Sequence, residues 1–361
     1  MKIVNLIRLL LLLLIAGLLT NCGSIEEPKE YAASELANDT IALAPAAAYM
    51  AYYDTVLTAA GLHWPTVADS ATSTYTSASK QFFQLTGLLY STANGVHMPG
   101  AYKGAGKCYE GLVGNMVTDA MLYNAKKLVP ECLFFYSNLG GVRDDKASGS
   151  YLTATNYAIV PGAEINSAIQ TGIFFYANFI EVLKIKGANM VDMFEHGVRS
   201  WTDTSTIGST GKFPQISGVK VEYDRSLIAY PTTGYGRVLK LSLSNRTDTA
   251  VWDYNYSDST QWNVVYDVND TPHWTAAGVK GWLNGYTADS QFVMGTSNYL
   301  AMGGDDYTML YYAKQYQNAY LNTDVRAMGQ VFGLYLTAYK QAKGASSTLM
   351  PTMQNRIKFI K

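Results

Sequence analysis

Apolar positions change their spacing several times along the chain, and each spacing predicts an element. Leu112, Val113, Met116, Val117, Ala120 and Met121 recur every three or four residues, which predicts an amphipathic helix over 111–127. Leu133 to Tyr136 is a short apolar run closed by Asn138-Leu139-Gly140-Gly141, a strand followed by a turn. Phe179, Glu181, Leu183 and Ile185 alternate with Ile180, Val182, Lys184 and Lys186 up to Gly187, the pattern of a second strand. Met190, Met193, Phe194 and Gly197 then form a helical stripe. Val219, Val221 and Tyr223 alternate with Lys220, Glu222 and Asp224, and Leu239, Leu241 and Leu243 repeat that pattern. Phe292 to Thr296 is a further strand, and Val325, Met328, Phe332, Tyr335 and Tyr339 predict a closing helix. Strands of antiparallel alternation, mixed with helices and without an internal repeat, predict α+β layers.

Two stretches depart from this rhythm. Residues 247–285 hold Trp252, Trp262, Trp274 and Trp282 among Asp, Asn and Tyr, and read as an insertion with its own small core. Exposed, such aromatics would suit a sugar or a protein partner; buried packing is the plainer reading. Ahead of residue 80 the texture is that of a tether, with Glu26, Glu27, Pro28, many alanines and a Ser/Thr-rich run from Ser70 to Ser79. Alanine-rich 42–60 is compatible with a helix.

The N-terminus carries an address. Lys2 and Arg8 flank an unbroken apolar run from Leu9 to Leu19, followed by Thr20-Asn21-Cys22. Eleven residues are too few to span a bilayer, which takes roughly 20, but they suit a secretory signal. Cys22 after Leu-Thr-Asn resembles a bacterial lipobox, so 1–21 is expected to be removed and Cys22 lipidated, leaving an exported protein anchored to the cell envelope. Residues 22–79 would then be the lipidated tether and 80–361 the folded domain. That compartment permits a disulfide between Cys108 and Cys132; two free buried thiols are the alternative.

Composition narrows the chemistry. The 361 residues carry 27 Lys plus Arg against 28 Asp plus Glu, a net charge of −1, which gives no basic footprint for a nucleic-acid polymer. A hydrophobic share of 48% with 15% charged residues excludes a disordered chain. His63, His97, His196 and His273 are isolated, and no H-x-H, D-x-H or H-E-x-x-H occurs. A calcium-loop start at Asp253-x-Asn255-x-Ser257 fails, because Asp258 stands where the turn glycine belongs and Val264 where the bidentate Glu belongs. There is no G-x-S-x-G and no phosphate-binding P-loop. His196 lies on a Met/Phe stripe and reads as a satisfied core histidine. No catalytic residues, metal ligands or cofactor site are visible.

What remains is a set of aromatic and polar residues at turns: Tyr176-Ala-Asn178, Tyr299 ahead of Gly303-Gly304-Asp305, and Asn138 and Arg143 around Gly140-Gly141. Two aromatic faces with flanking Asn, Asp and Arg can sandwich a purine, each face contributing about 1–3 kcal/mol. The order of these pieces resembles the C-terminal, substrate-recognition domain of the 5′-nucleotidase family. Glu110-Gly-Leu-Val-Gly-Asn-Met-Val-Thr-Asp-Ala-Met121 is similar to its E-x-N-L-G-N-L-x-A-D-A-M helix, and Asn138-Leu-Gly-Gly-Val-Arg143 to its N-G-G-G-I-R loop. Tyr176-Ala-Asn178 resembles F-G-N, and Phe194-Glu-His-Gly-Val198 resembles L-E-H-G-V. Phe213-Pro-Gln-Ile-Ser-Gly-Val resembles F-x-Q-V-S-G-L. Asn298-Tyr-Leu-Ala-Met-Gly-Gly-Asp-Asp-Tyr307 resembles N-D-F-L-A-A-G-G-D-G-Y, with Asn322-Thr-Asp324 opening the last helix. The match runs from about 85 to 342.

The resemblance implies an α+β fold layered α/β/β/α and a set of roles. Its stacking aromatics fall at Tyr176 and Tyr299, its ribose-binding aspartate at Asp305, its asparagines at Asn138 and Asn178, and its loop arginine at Arg143. The arginines ahead of the first helix are absent, and Lys103 and Lys107 are the cations nearby; Lys lacks the guanidinium fork. Leu139 and Asp306 replace family glycines. The family's metallophosphatase domain, with its two metals, has no counterpart motif here. The chain alone is therefore expected to bind a nucleoside or nucleotide without cutting it, divalent metals entering only with a separate metallophosphatase polypeptide. A non-catalytic nucleoside binder and an adhesion lipoprotein reusing the fold are the alternatives.

Overall fold

The computed structural model describes residues 110–142, 173–199, 211–227, 236–268 and 281–360, apart from 175, 225 and 353, together with scattered positions between 41 and 58 and the pairs 101–102, 158–159 and 164–165. Cys22, Lys107, Arg143, Lys103, Cys108 and Trp274 lie outside the described residues, as do the signal segment and most of the tether.

Helix α1 spans Leu112–Leu128, and every residue from Leu112 to Lys126 is buried. Lys126 and Lys127 stand in its last turn, where cations meet the negative end of the helix dipole. Five strands form the larger sheet: β1 (Phe134–Asn138), β2 (Ile180–Lys186), β3 (Pro214–Ser217), β7 (Gln291–Ser297) and β8 (Tyr320–Thr323). Their order is β8-β2-β7-β1-β3, with β7 and β1 parallel and the other pairs antiparallel. A four-stranded sheet orders β6 (Trp262–Asp267), β5 (Val238–Ser244), β4 (Val219–Tyr223) and β9 (Ile357–Phe359), the last pair parallel.

The larger sheet is covered on both faces, so its strands read as apolar on both sides. Phe135, Ile180 and Val182 point into a core with α1 and helix α5 (Met328–Lys343). Phe134, Tyr136, Leu183, Ile185, Phe292 and Met294 point into a second core with α2 (Gly187–Val198), α4 (Thr308–Tyr316) and the smaller sheet. Phe194 of α2 touches both sheets: its ring lies edge-on to Tyr136 at 5.3 Å, and its carbonyl accepts the Tyr223 hydroxyl at 3.3 Å. The α+β architecture expected from the periodicity is the one that forms.

Several expectations change. Among its described residues the aromatic segment forms no core of its own. Trp252, Tyr254, Tyr256 and Trp262 join the α1/α5 core, while Tyr266, Trp282 and Tyr286 join the other, because β6 extends the smaller sheet. The closing helix starts at Met328 rather than Val325, which is exposed, and Asn322-Thr323 belong to edge strand β8. Cys132 is a free, fully buried thiol, and burial pushes its pKa up to about 12.

The first helix motif acquires a structural role. Glu110 accepts the backbone N–H groups of Gln354 (2.5 Å) and Arg356 (2.6 Å) and the Asn115 amide (2.6 Å). Asp119 pairs with Arg356 at 2.7 Å, and that guanidinium is 1% exposed, donates to the Ile216 carbonyl at 2.8 Å and lies over the Tyr256 ring. Motif residues on and just before α1 thus clamp the C-terminal strand to the domain.

Candidate functional site

The sheet register gathers the site. Ile180 at the start of β2 pairs with Ser297 at the end of β7, and β1 runs parallel to β7. The turn before β2, the helix after β7 and the loop after β1 therefore leave from one end of the larger sheet. The first carries Tyr176 and Asn178 and the second Tyr299, while Asn138 closes β1 just ahead of the third.

Phe179 and Asn298 tie two of these loops together. The Phe179 N–H donates to the Asn298 side chain at 2.9 Å, and the Asn298 N–H donates to the Phe179 carbonyl at 3.0 Å. Asn298 opens a single helical turn, α3 (Asn298–Ala301), capped by the Ser297 hydroxyl. Tyr176 and Tyr299 remain 45% and 42% exposed. Asn178 is half-buried, and its carbonyl accepts the Met328 N–H at 2.7 Å, linking the Tyr176 turn to α5.

Gly304 explains the pose of the Tyr299 ring. A Cβ built there would lie 2.5 Å from two ring carbons and 2.6 Å from a third, Cζ and the two Cε atoms, which places it over the ring centre. Only a glycine lets the ring rest flat on that backbone. One face of Tyr299 is thus covered. Burial, the hydrogen bond to Asp305 and its charge, and the nearby Tyr176 phenol together raise the Tyr299 pKa, so the hydroxyl stays protonated.

Asp305 sits in the left-handed region (φ 52°, ψ 30°), followed by Asp306 at φ 63°. Such backbone costs on the order of 1–3 kcal/mol per residue and persists where neighbours hold it. The Asn138 amide donates to Oδ2 at 2.5 Å, the Tyr299 hydroxyl donates to Oδ1 at 2.9 Å, and the same hydroxyl accepts the Asp305 N–H at 3.1 Å. His196 Nε2 meets the Asp305 carbonyl at 2.8 Å; a carbonyl only accepts, so Nε2 carries the proton. Burial lowers the His196 pKa, favouring the neutral ring, which packs edge-on against Tyr307 at 4.6 Å. Exposed Asp306 pairs with Lys212 at 2.7 Å.

Asn138 is 2% exposed and lies under the Gly140-Gly141 turn. A Cβ on Gly140 would come 3.1 Å from its Nδ2 and one on Gly141 3.0 Å from its Oδ1, so the glycine pair makes room for the amide that reaches Asp305. Among the described residues its Oδ1 has no hydrogen-bond partner.

Of the residues expected at the site, the structure brings together Asn138, Tyr299 and Asp305, with Tyr176 and Asn178 on the adjoining turn. Sequence reading missed the supports: Gly304 beneath the ring, His196 on the Asp305 carbonyl, and Tyr307, whose hydroxyl bonds Tyr136 (2.7 Å) and the Lys212 carbonyl (2.6 Å). The E-H-G-V motif held the signal for His196, but as a core residue. Among the described residues, no three His, Cys, Asp or Glu side chains converge as a metal site would require.

The fixed Asp305 carboxylate beside Tyr299 thus lies at the end of the larger, mixed sheet. The chain belongs to the 5′-nucleotidase C-terminal domain family, whose model matches residues 90–312, well over half of it. Among solved structures it is similar to a 5′-nucleotidase precursor from Thermus thermophilus, at 19% identity and a TM-score of 0.47 over 70% of this chain and 36% of that one. It is also similar to the NAD nucleotidase of Haemophilus influenzae, at 14% identity and a TM-score of 0.46 over 81% of this chain and 40% of that one. The chain thus corresponds to less than half the length of either protein. Among curated proteins none matches its sequence.

Proposed function

We propose that this chain recognises a nucleoside or nucleotide, its base held between Tyr176 and Tyr299 and its sugar hydroxyls accepted by Asp305. The observation that carries this reading is the fixed Asp305 carboxylate beside Tyr299, whose ring is backed by Gly304, with exposed Tyr176 on the turn bound to the same helix. Aromatic faces supply base-tolerant stacking, and a carboxylate with one hydrogen bond on each oxygen keeps acceptor capacity for a cis-diol.

Hydrolysis is assigned to a separate metallophosphatase polypeptide. The residues gathered at this site are aromatic, amide and carboxylate groups suited to holding a ligand. Family membership supports a nucleotidase-type role, since this domain normally accompanies a metallophosphatase domain. Lipidation at Cys22 would place the domain on the cell envelope, for nucleotide breakdown or scavenging. Arg143 and Lys107 are the candidate contacts for a phosphate.

Calorimetric titration of the full chain with adenosine and with AMP tests the reading. Saturable binding that weakens in Tyr176→Ala by ~1–3 kcal/mol supports it. Undetectable binding of both at millimolar ligand overturns it. Phosphate release from AMP by the chain alone, with Zn²⁺ or Mn²⁺ added, would overturn the assignment of catalysis elsewhere.

A further inference from the structure

The position that the family fills with phenylalanine is Tyr299 here, and its hydroxyl does not point idly into solvent. It donates to Asp305 Oδ1 and accepts the Asp305 N–H. With Asn138 on Oδ2 and His196 on the carbonyl, each of the four polar atoms of Asp305 has one protein partner. Two of those four bonds come from the one hydroxyl, and they hold a non-glycine residue in left-handed backbone beside a second one. Each carboxylate oxygen still has acceptor capacity after its single protein bond. The carboxylate is half-buried and, among the described residues, its two hydrogen-bond partners are both neutral, so its aim rests on Tyr299 and Asn138.

We infer that the Tyr299 hydroxyl is a positioning residue for sugar recognition: it orients the Asp305 carboxylate toward a cis-diol and so sets preference for ribosyl over dideoxyribosyl ligands, while its ring stacks the base. This rests on the nucleoside-binding reading above. It separates two contributions of one side chain, a face that is indifferent to the sugar and a hydroxyl that acts through Asp305.

The test is a cycle of two proteins and two ligands. The full chain and Tyr299→Phe are titrated with adenosine and with 2′,3′-dideoxyadenosine. Phenylalanine keeps the ring, and the site is exposed enough that folding should survive, which circular dichroism and a melting curve check. A hydrogen bond to a charged group is worth enough to predict about a tenfold loss in adenosine affinity, with dideoxyadenosine affinity changing by less than about twofold. The ribose preference of the wild type should shrink by the same factor. Equal losses for both ligands would show that the hydroxyl only supports the loop, and overturn the inference. Unchanged or tighter adenosine binding in Tyr299→Phe would show that the hydroxyl competes with the sugar, and overturn it too. If the wild type bound neither ligand, the nucleoside reading itself would fall and the inference with it; the first two failures leave wild-type binding intact and are thereby distinguishable.

Discussion

Replacing Gly304 by alanine should damage the site while leaving the domain folded. The new Cβ would stand 2.5–2.6 Å from three carbons of the Tyr299 ring, against a comfortable contact of about 3.5–4.0 Å. The ring must therefore retreat by ~1–1.5 Å along its normal or swing out. Gly304 is outside the left-handed region, so the penalty is this contact and not backbone strain. A shift of that size stretches the Tyr299 bonds to Asp305, now 2.9 and 3.1 Å, past useful length. Tyr299 is 42% exposed and water can replace those bonds, so the folding cost should stay below ~2 kcal/mol. Ligand binding loses more, because a misplaced platform forfeits about 1–3 kcal/mol of stacking and releases the carboxylate as well. Adenosine affinity should fall at least ~10-fold. Calorimetry with adenosine and a melting curve on the same sample read both quantities. Gly285→Ala is the control: its φ is +80° and nothing lies within 4 Å, so it should cost some stability and no affinity. Wild-type affinity in Gly304→Ala would refute the idea that this glycine seats the stacking ring.

Other outcomes follow from the buried groups. Asp119→Asn removes the carboxylate paired with Arg356, which is 1% exposed and keeps the Ile216 carbonyl, Gln354 and the nearby Glu110 among its stronger partners, and should cost ~2–4 kcal/mol in urea unfolding; a loss under ~1 kcal/mol would contradict the clamp. Burial lowers the His196 pKa, so the unfolded chain takes up the proton first as pH falls through the ordinary histidine range near 6.5. The stability this residue contributes is therefore present above that range and lost below it. The wild-type melting temperature should drop more steeply than that of His196→Gln between pH 7 and 5, and parallel profiles would refute the assignment. Cys132, with its thiol pushed up to about 12, should resist iodoacetamide in the native protein at pH 8 and react after unfolding, as peptide mass spectrometry would report.

Legibility in the sequence followed burial. Helix α1 was legible because its apolar residues recur every three or four positions between buried polar ones such as Asn115, Asp119 and Asn124, and strand β2 because Lys184 and Lys186 interrupt its buried positions. Helix α4 gave no stripe, since only Leu310 and Ala313 of its nine residues are buried. Strand β8 lies at an edge with Tyr320 and Leu321 exposed, so neither face is uniformly apolar. In β6 the pairing shifts between Val264 and Tyr266, which breaks the alternation that a reader would seek. At the candidate site, Asn138, Tyr176, Tyr299 and Asp305 were singled out through motif order. Gly304, His196 and the Tyr299 hydroxyl were not, because their roles arise from contacts between β1, α2 and the turn after β7 that no spacing encodes.

A crystal structure of the chain soaked with adenosine addresses the account most directly. Adenine should lie between the rings of Tyr176 and Tyr299 at about 3.5–4.0 Å from each, with the ribose hydroxyls about 2.7 Å from Asp305. Adenosine bound elsewhere, or an adenine that meets neither ring, would contradict it.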